Sequence, residues 1–189
     1  MTVMKKRMSG SVMPVVLILV VAGCEGIFGP DKSGEIQLSS QLFGNETYYL
    51  YGYAYEQGDY YRYPFKGEPE PDIVNEGFRV IRGGELASLP GFNTPAQMNG
   101  FALVGEFSSQ EEARSFYDDY SSVEEGLQLE TVSDTVELHQ VWIQKTSIGN
   151  YVKLLVKDIE VFKGESGNIY NEVTLDYTYQ PNGSTDFPK

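Results

Sequence analysis

The chain has 189 residues and a formal net charge of −13 at neutral pH, from 27 acidic and 14 basic side chains. A surface this acidic repels phosphate backbones and anionic lipid headgroups, which argues against nucleic acid and bare anionic membranes as partners. Only one cysteine is present, so no intramolecular disulfide can form and the fold must be stabilised by its core.

The first residues have the pattern of a secretory signal. Lys5, Lys6 and Arg7 precede an apolar run at 12–22, and a basic segment followed by a short apolar one is typical of an exported precursor. The run is shorter than the roughly 20 residues needed to span a bilayer. Pro14 near its start is also unfavourable in a spanning helix.

The apolar run ends in Val21-Ala22-Gly23-Cys24, which resembles the lipobox of bacterial lipoproteins. The resemblance implies cleavage before Cys24, a signal peptide at 1–23, and diacylglycerol on the Cys24 thiol as the link to a membrane. The alternatives are an uncleaved anchor or an ordinary secretory signal. Glu25 follows the cysteine in place of the aspartate that retains many lipoproteins in the inner membrane, so we expect the cell outer membrane, with the domain facing the periplasm or the cell surface.

Residues 24–34 are predicted to be a lipidated, flexible tether, because three glycines and a proline fall within 26–34. Residues 35–189 are predicted to form a single β-rich domain, which is long enough to bury a core.

A tyrosine-rich hairpin is predicted at 48–63. Its alternate tyrosines are expected on one face, in the order Tyr49, Tyr51, Tyr53 and Tyr55. Leu50, Gly52 and Ala54 occupy the other face and are small enough to lie under a helix, so we expect the tyrosines to face outward. After a turn at 56–59, Tyr61 and Tyr63 are expected to extend the same face.

Two interpretations of these tyrosines remain open. A phenol has an apolar ring and a polar tip, so the ladder can stack a planar ligand such as a sugar ring or porphyrin, or hold an envelope protein. Alternatively, aromatic pairs across the strands simply stabilise the hairpin.

Three carboxylates alternate with prolines in the next segment, at Glu68, Glu70 and Asp72. Alternate spacing can aim them at one hard cation such as Ca²⁺, although six to eight oxygens are needed. A stiff acidic loop is the other interpretation. Residues 68–98 contain four prolines and are expected to be loop, apart from a short strand at 78–81.

One amphipathic helix is predicted from Ser108 and Ser109 onward, because a glutamate lies three residues after each serine as in a capping box. Ala113, Phe116, Tyr117 and Tyr120 then share a face. Gly126 is expected to close the segment.

Four strands are predicted after the helix. They are expected at 127–132, 136–145, 151–162 and 169–179, with a β-bulge at Lys157-Asp158 and a turn at 163–168. The fold class is therefore mainly β: an antiparallel meander, as a sandwich or open barrel, with one helix packed on it. His139, the only histidine, is expected in mid-strand with a structural role.

The strands resemble the end of the haem-binding, haemophore-type outer-membrane lipoproteins. The residues that carry the resemblance are Trp142-Ile143-Gln144-Lys145-Thr146, Tyr151-Val152-Lys153-Leu154 and Gln180-Pro181-Asn182-Gly183. The resemblance implies an all-β lipoprotein. It does not extend to the histidine pair that holds haem iron in the best-known members, so we expect neither tight haem binding nor another resident cofactor.

No nucleophile elbow, phosphate loop or dinucleotide fingerprint is present. We therefore expect a non-enzymatic, lipid-anchored binding protein of the outer membrane. The alternatives are a structural envelope lipoprotein without a small ligand, and a hydrolase that uses paired carboxylates.

Overall fold

The computed structural model describes residues 32–82, 85–96, 100–164 and 167–188. It contains 50% strand and 7% helix, in antiparallel sheets that do not close into a barrel, and this confirms the mainly β class with one helix. Among the residues described, no helix has the length and apolar character required to cross a membrane.

Within the described ranges, eleven strands and one helix follow one another. They are β1 (Ser33–Ser39), β2 (Leu50–Ala54), β3 (Asp59–Tyr63), β4 (Val74–Asn75), β5 (Phe78–Arg82), β6 (Glu85–Leu89), β7 (Phe92–Asn93), β8 (Phe101–Glu106), α1 (Gln110–Asp119), β9 (Gln140–Lys145), β10 (Tyr151–Lys163) and β11 (Ile169–Gln180). The first strand begins at Ser33, so the end of the predicted tether belongs to the sheet.

A five-stranded antiparallel sheet forms the centre of the domain, in the order β1-β11-β10-β9-β8. Successive strand residues point to opposite faces, and β10 is buried on both faces from Val152 to Val156. Val152, Leu154 and Val156 pack toward the tyrosine-rich hairpin. Leu155 packs toward α1, together with Val141 of β9. The sheet is therefore the middle of three layers, with the short hairpins on one side and the helix on the other.

The longest predicted strands are confirmed. β10 and β11 pair over their whole length, and the register shifts between Val156 and Asp158, at the predicted bulge. In β11, Val173, Leu175, Tyr177 and Tyr179 are all buried on one face, as the alternation indicates. The sequence pattern was sufficient here because one face of the hairpin is apolar over most of its length, from Val152 and Tyr179 to Ile159 and Val173.

The helix is shorter than predicted. Ser109 is its N-cap and accepts a hydrogen bond from the backbone N–H of Glu112 at 3.3 Å, as a capping serine should. The helix ends at Asp119 rather than near Gly126. Its last carbonyls are satisfied by the ammonium of Lys153, which donates to the carbonyl oxygens of Tyr117 and Tyr120.

Two other expectations are wrong. The region 68–98 was expected to be loop around one strand, but β4, β6 and β7 form there beside β5. The segment 127–132 was expected to be a strand, but it makes only isolated bridges, Glu130 with Phe101 and Val132 with Asn93. The β4–β7 pair and the bridges of Glu130 and Val132 join residues distant in sequence, which a local pattern cannot reveal.

Candidate functional site

The register of the tyrosine-rich hairpin decides which side chains share a face. Ala54 pairs with Asp59, so each odd position of β2 lies opposite an even position of β3. Directly opposed residues point to the same side of a sheet. Tyr60 and Arg62 therefore extend the face of Tyr53 and Tyr51, whereas the expected Tyr61 and Tyr63 lie on the other face with Gly52 and Leu50. The prediction for Tyr61 and Tyr63 was wrong because the four-residue turn reverses the parity.

The inner half of the ladder is part of the core. Tyr53 is 7% exposed and Tyr55 is fully buried. The Tyr55 ring stacks on Tyr179 at 5.7 Å, and the Tyr53 ring lies 5.6 Å from Tyr177. The hydroxyl of Tyr55 donates to Oε1 of Gln144 at 3.0 Å. The expectation that Tyr53 and Tyr55 face outward was therefore wrong.

The reason lies on the opposite face of the hairpin. Gly52 is covered by the chain segment before β4, where a Cβ at position 52 would meet the carbonyl oxygen of Ile73 at 2.5 Å and Cγ1 of Val74 at 2.5 Å. The helix that was expected to cover this face lies instead against the other side of the central sheet. Gly52 is thus required for close approach of a strand rather than a helix.

The outer half of the ladder is accessible and belongs to a larger cluster. We call Phe43, Tyr49, Tyr51, Arg62 and Phe65 the aromatic patch. Tyr51 and Phe65 are each 40% exposed. The rings of Tyr49 and Tyr51 meet edge to face at 5.6 Å, and Phe43 contacts Tyr51 at the same distance. Such edge-to-face contacts stabilise aromatic clusters beyond the area they bury.

Arg62 holds the aromatic patch together. Its guanidinium carbon lies 3.5 Å from the centroid of Phe65 and 5.6 Å from that of Tyr49, the geometry of a cation–π contact. Its Nε donates to Oε1 of Glu68 at 2.7 Å, and its backbone N–H donates to Oε2 at 2.9 Å. These hydrogen bonds lower the pKa of Glu68 and fix the guanidinium plane against the rings.

The three alternate carboxylates do not converge on a cation. Glu68 is paired with Arg62, while Asp72 turns inward and its Oδ2 accepts the backbone N–H of Tyr55 at 2.9 Å. Glu70, which lies between Glu68 and Asp72 in the sequence, is exposed. Nowhere in the described ranges are three or more His, Cys, Asp or Glu side chains grouped so that they could hold a metal ion.

Asp72 has the most perturbed carboxyl group of the region. Desolvation by burial is the main cause that raises its pKa to about 6, and the charge of Glu56 adds to the shift, while the hydrogen bond from Tyr55 opposes it. Burial also raises the pKa of Tyr55 and of Tyr53. The phenols therefore remain protonated donors inside the core.

A cavity of about 580 Å³ adjoins the aromatic patch. It is lined by Thr47, Arg62, Tyr63, Pro64, Phe65, Lys66, Pro69 and Glu70. One wall is therefore aromatic and proline-rich, and charged groups of both signs stand at its edge. Such a combination suits a partly apolar ligand or peptide with polar groups at its margin.

His139 does not lie in mid-strand, which corrects the prediction for 136–145. It occupies a turn with a φ of 67°, and β9 begins only at the next residue. The turn is held by Gln140, whose Oε1 accepts both the backbone N–H of Glu137 at 2.8 Å and Nε1 of Trp142 at 3.1 Å.

Sequence reasoning selected Tyr49 and Tyr51 correctly as accessible side chains but missed their partners. Phe43, Arg62 and Phe65 come from different segments, and only the register of β3 places Arg62 opposite Tyr51. An arginine inside an aromatic-rich stretch was the available signal. Cys24, the whole predicted signal peptide at 1–23 and most of the tether at 24–34 lie outside the described residues.

The sequence matches no protein-family profile, and no curated protein is significantly similar to it.

Proposed function

We propose that the protein is a non-enzymatic, lipid-anchored binding protein of the bacterial outer membrane, and that the aromatic patch is its binding surface. The anchoring part rests on the sequence alone, on Val21-Ala22-Gly23-Cys24 after a basic and apolar leader. The binding part rests on one observation, the exposed aromatic residues of the patch around an immobilised arginine.

The composition of the patch supports a binding role. Tyrosine, other aromatic residues and arginine dominate the energetically important positions of interfaces. Arg62 is already ordered by Glu68 and by the ring of Phe65, so a partner would meet a surface that loses little conformational freedom. The adjoining cavity, which shares Arg62 and Phe65 with the patch, provides a recess for part of a partner.

The position of the patch also suits an anchored protein. The described chain begins next to Ser33, which pairs with Thr178 near the end of β11. The patch lies beyond the other end of β1, since Phe43 follows Ser39. The seven residues of β1 extend roughly 24 Å. A partner that approaches from outside would therefore reach the patch without contacting the attachment side.

A structural envelope lipoprotein is the second candidate, favoured by Tyr53 and Tyr55 because half of the ladder stabilises the core. The two candidates differ in what Tyr51 contacts in the cell. A photo-crosslinking phenylalanine analogue at position 51 tests this, with the same analogue at the exposed Ile148 as the matched control.

If the patch binds, position 51 gives one discrete adduct that position 148 does not give. That adduct is lost when Arg62→Gln is added. The structural candidate would be supported if positions 51 and 148 gave the same set of cross-linked products, or if position 51 gave none.

The anchoring proposal has its own test in Cys24→Ala. Since the thiol carries the lipid, the variant should not incorporate labelled fatty acid and should leave the membrane fraction in a carbonate wash. Cys24→Ala that remains fully membrane-bound after the wash would contradict lipid anchoring.

A further inference from the structure

A second cavity, also of about 580 Å³, lies near the tip of the β10–β11 hairpin. None of the side chains that line it belongs to the aromatic patch. Its walls come from the chain after β1, from β5 and from the start of β11. Gln41, Tyr48, Arg79, Asn168 and Tyr170 bring most of its hydrogen-bonding side-chain groups. Three segments distant in sequence thus converge on one recess.

Arg79 gives this cavity its charge. The residue lies opposite Ser88 in the β5–β6 hairpin, and Oγ of Ser88 accepts from Nδ2 of Asn171 at 2.7 Å. Because opposed residues share a face, Arg79 is directed toward the start of β11. It is exposed, and it forms no ion pair with any residue in the described ranges.

Two other arginines of the chain form ion pairs with carboxylates. Arg62 is paired with Glu68, and Arg114 with Asp176. The chain carries 27 acidic side chains, yet Arg79 forms no ion pair with those in the described ranges. Among the described residues that line the cavity, none carries a carboxylate. The recess therefore presents positive charge on a strongly acidic protein.

The remaining lining is suited to a ring. Tyr48 is 60% exposed, and Tyr170 is held by stacking on Phe162 at 5.3 Å with an interplanar angle of 20°. Leu42 and Ile169 add apolar surface. The side-chain amides of Gln41 and Asn168 form no hydrogen bond with the described part of the chain, so both are free to serve a ligand.

We propose that this cavity binds a small organic carboxylate that carries a ring, with the carboxylate at Arg79 and the ring against Tyr48 and Tyr170. A guanidinium binds a carboxylate through two parallel hydrogen bonds, and the two amides supply donors for hydroxyl groups at the edge of the ring. The proposal is independent of the lipid anchor and of the aromatic patch.

The test compares two soluble probes that differ only in the carboxylate, nitrophenyl glucuronide and nitrophenyl glucoside. Each is titrated calorimetrically into the purified full chain in detergent. We expect the glucuronide to bind at one equivalent and about tenfold more tightly than the glucoside, a ratio that corresponds to about 1.4 kcal/mol and lies near the low end for hydrogen bonds to a charged group.

Arg79→Gln should remove that tenfold preference and leave the affinity for the glucoside unchanged. Lys66→Gln is the matched control, because Lys66 is the exposed cation of the other cavity; it should change neither affinity. The proposal is overturned if the glucuronide does not bind, if Arg79→Gln binds it as tightly as the parent chain, or if Lys66→Gln removes the preference.

Discussion

The two halves of the tyrosine ladder have the same sequence pattern and opposite environments. Tyr49 and Tyr51 meet other aromatic rings and an arginine at the surface. Tyr53 and Tyr55, on the same strand or immediately after it, contact Tyr177 and Tyr179 in the core. A run of alternate tyrosines therefore fixes which face the rings share, but not whether that face is exposed.

The difference arises from what lies opposite each half. The inner rings are placed against β11, whose own tyrosines offer both apolar surface and hydroxyl partners, as in the 3.2 Å contact between the hydroxyls of Tyr53 and Tyr177. Burying a phenol is favourable only when its hydroxyl is hydrogen-bonded. In the outer half, Tyr51 contacts only the rings of Phe43 and Tyr49 among the aromatic contacts described and stays 40% exposed.

The largest expected effect is on the inner half. Tyr55→Ala should lower the free energy of unfolding by about 3–5 kcal/mol, because it opens a cavity in a fully buried site. Tyr55→Phe should lower it by about 1 kcal/mol, since only the hydrogen bond to Gln144 is lost. Tyr51→Ala is the matched control and should change stability far less. Urea unfolding of the three variants measures this, and equal losses for Tyr51→Ala and Tyr55→Ala would contradict the division of the ladder.

The long strands of the fold could be predicted because their information is local. The alternation in β11 and the phase change at Val156 in β10 are visible in the sequence and match the register. The capping serine of α1 was visible for the same reason. In each case the residues that determine the element lie within it or one turn away.

The candidate site could be predicted only in part, because its information is distributed along the chain. The burial of Tyr55 depends on Tyr179, and the role of Arg62 depends on a four-residue turn. His139 was assigned to a strand because 136–145 was predicted to be one continuous strand, but the side chain of Gln140 stabilises a turn there instead. Parity and long-range packing do not follow from periodicity.

The second prediction concerns Asp72, which belongs to the inner half because its carboxylate accepts the N–H of the buried Tyr55. Its pKa is raised from 3.8 to about 6 by burial, so folding favours the protonated form. Its contribution to stability is complete below pH 3.8 and is lost as the pH rises through about 6. Asp72→Asn should remove this loss, because the amide oxygen can still accept from Tyr55.

At pH 8 the Asp72→Asn variant should therefore be more stable than the parent chain by up to about 3 kcal/mol, the equivalent of the shift at 1.36 kcal/mol per unit. At pH 4 the two should differ little. Urea unfolding at both values measures the difference between the chains, in which the remaining carboxylates cancel. Parallel stability profiles for the two chains would show that Asp72 is not desolvated.

The smallest expected effect is on the outer half, where Arg62 and Glu68 are both partly exposed. An exposed ion pair contributes little to stability and is screened by salt. A double-mutant cycle of Arg62→Gln and Glu68→Gln should show a weak coupling in unfolding experiments at low salt that disappears at high salt.

The arginine also stacks on Phe65, and Arg62→Lys separates the charge from the stacking because lysine keeps the charge without the planar group. If Arg62→Lys preserves both the coupling and the crosslink at position 51, charge alone organises the patch. If it preserves the coupling but loses the crosslink, as we expect, the flat guanidinium is what makes the outer tyrosines a binding surface.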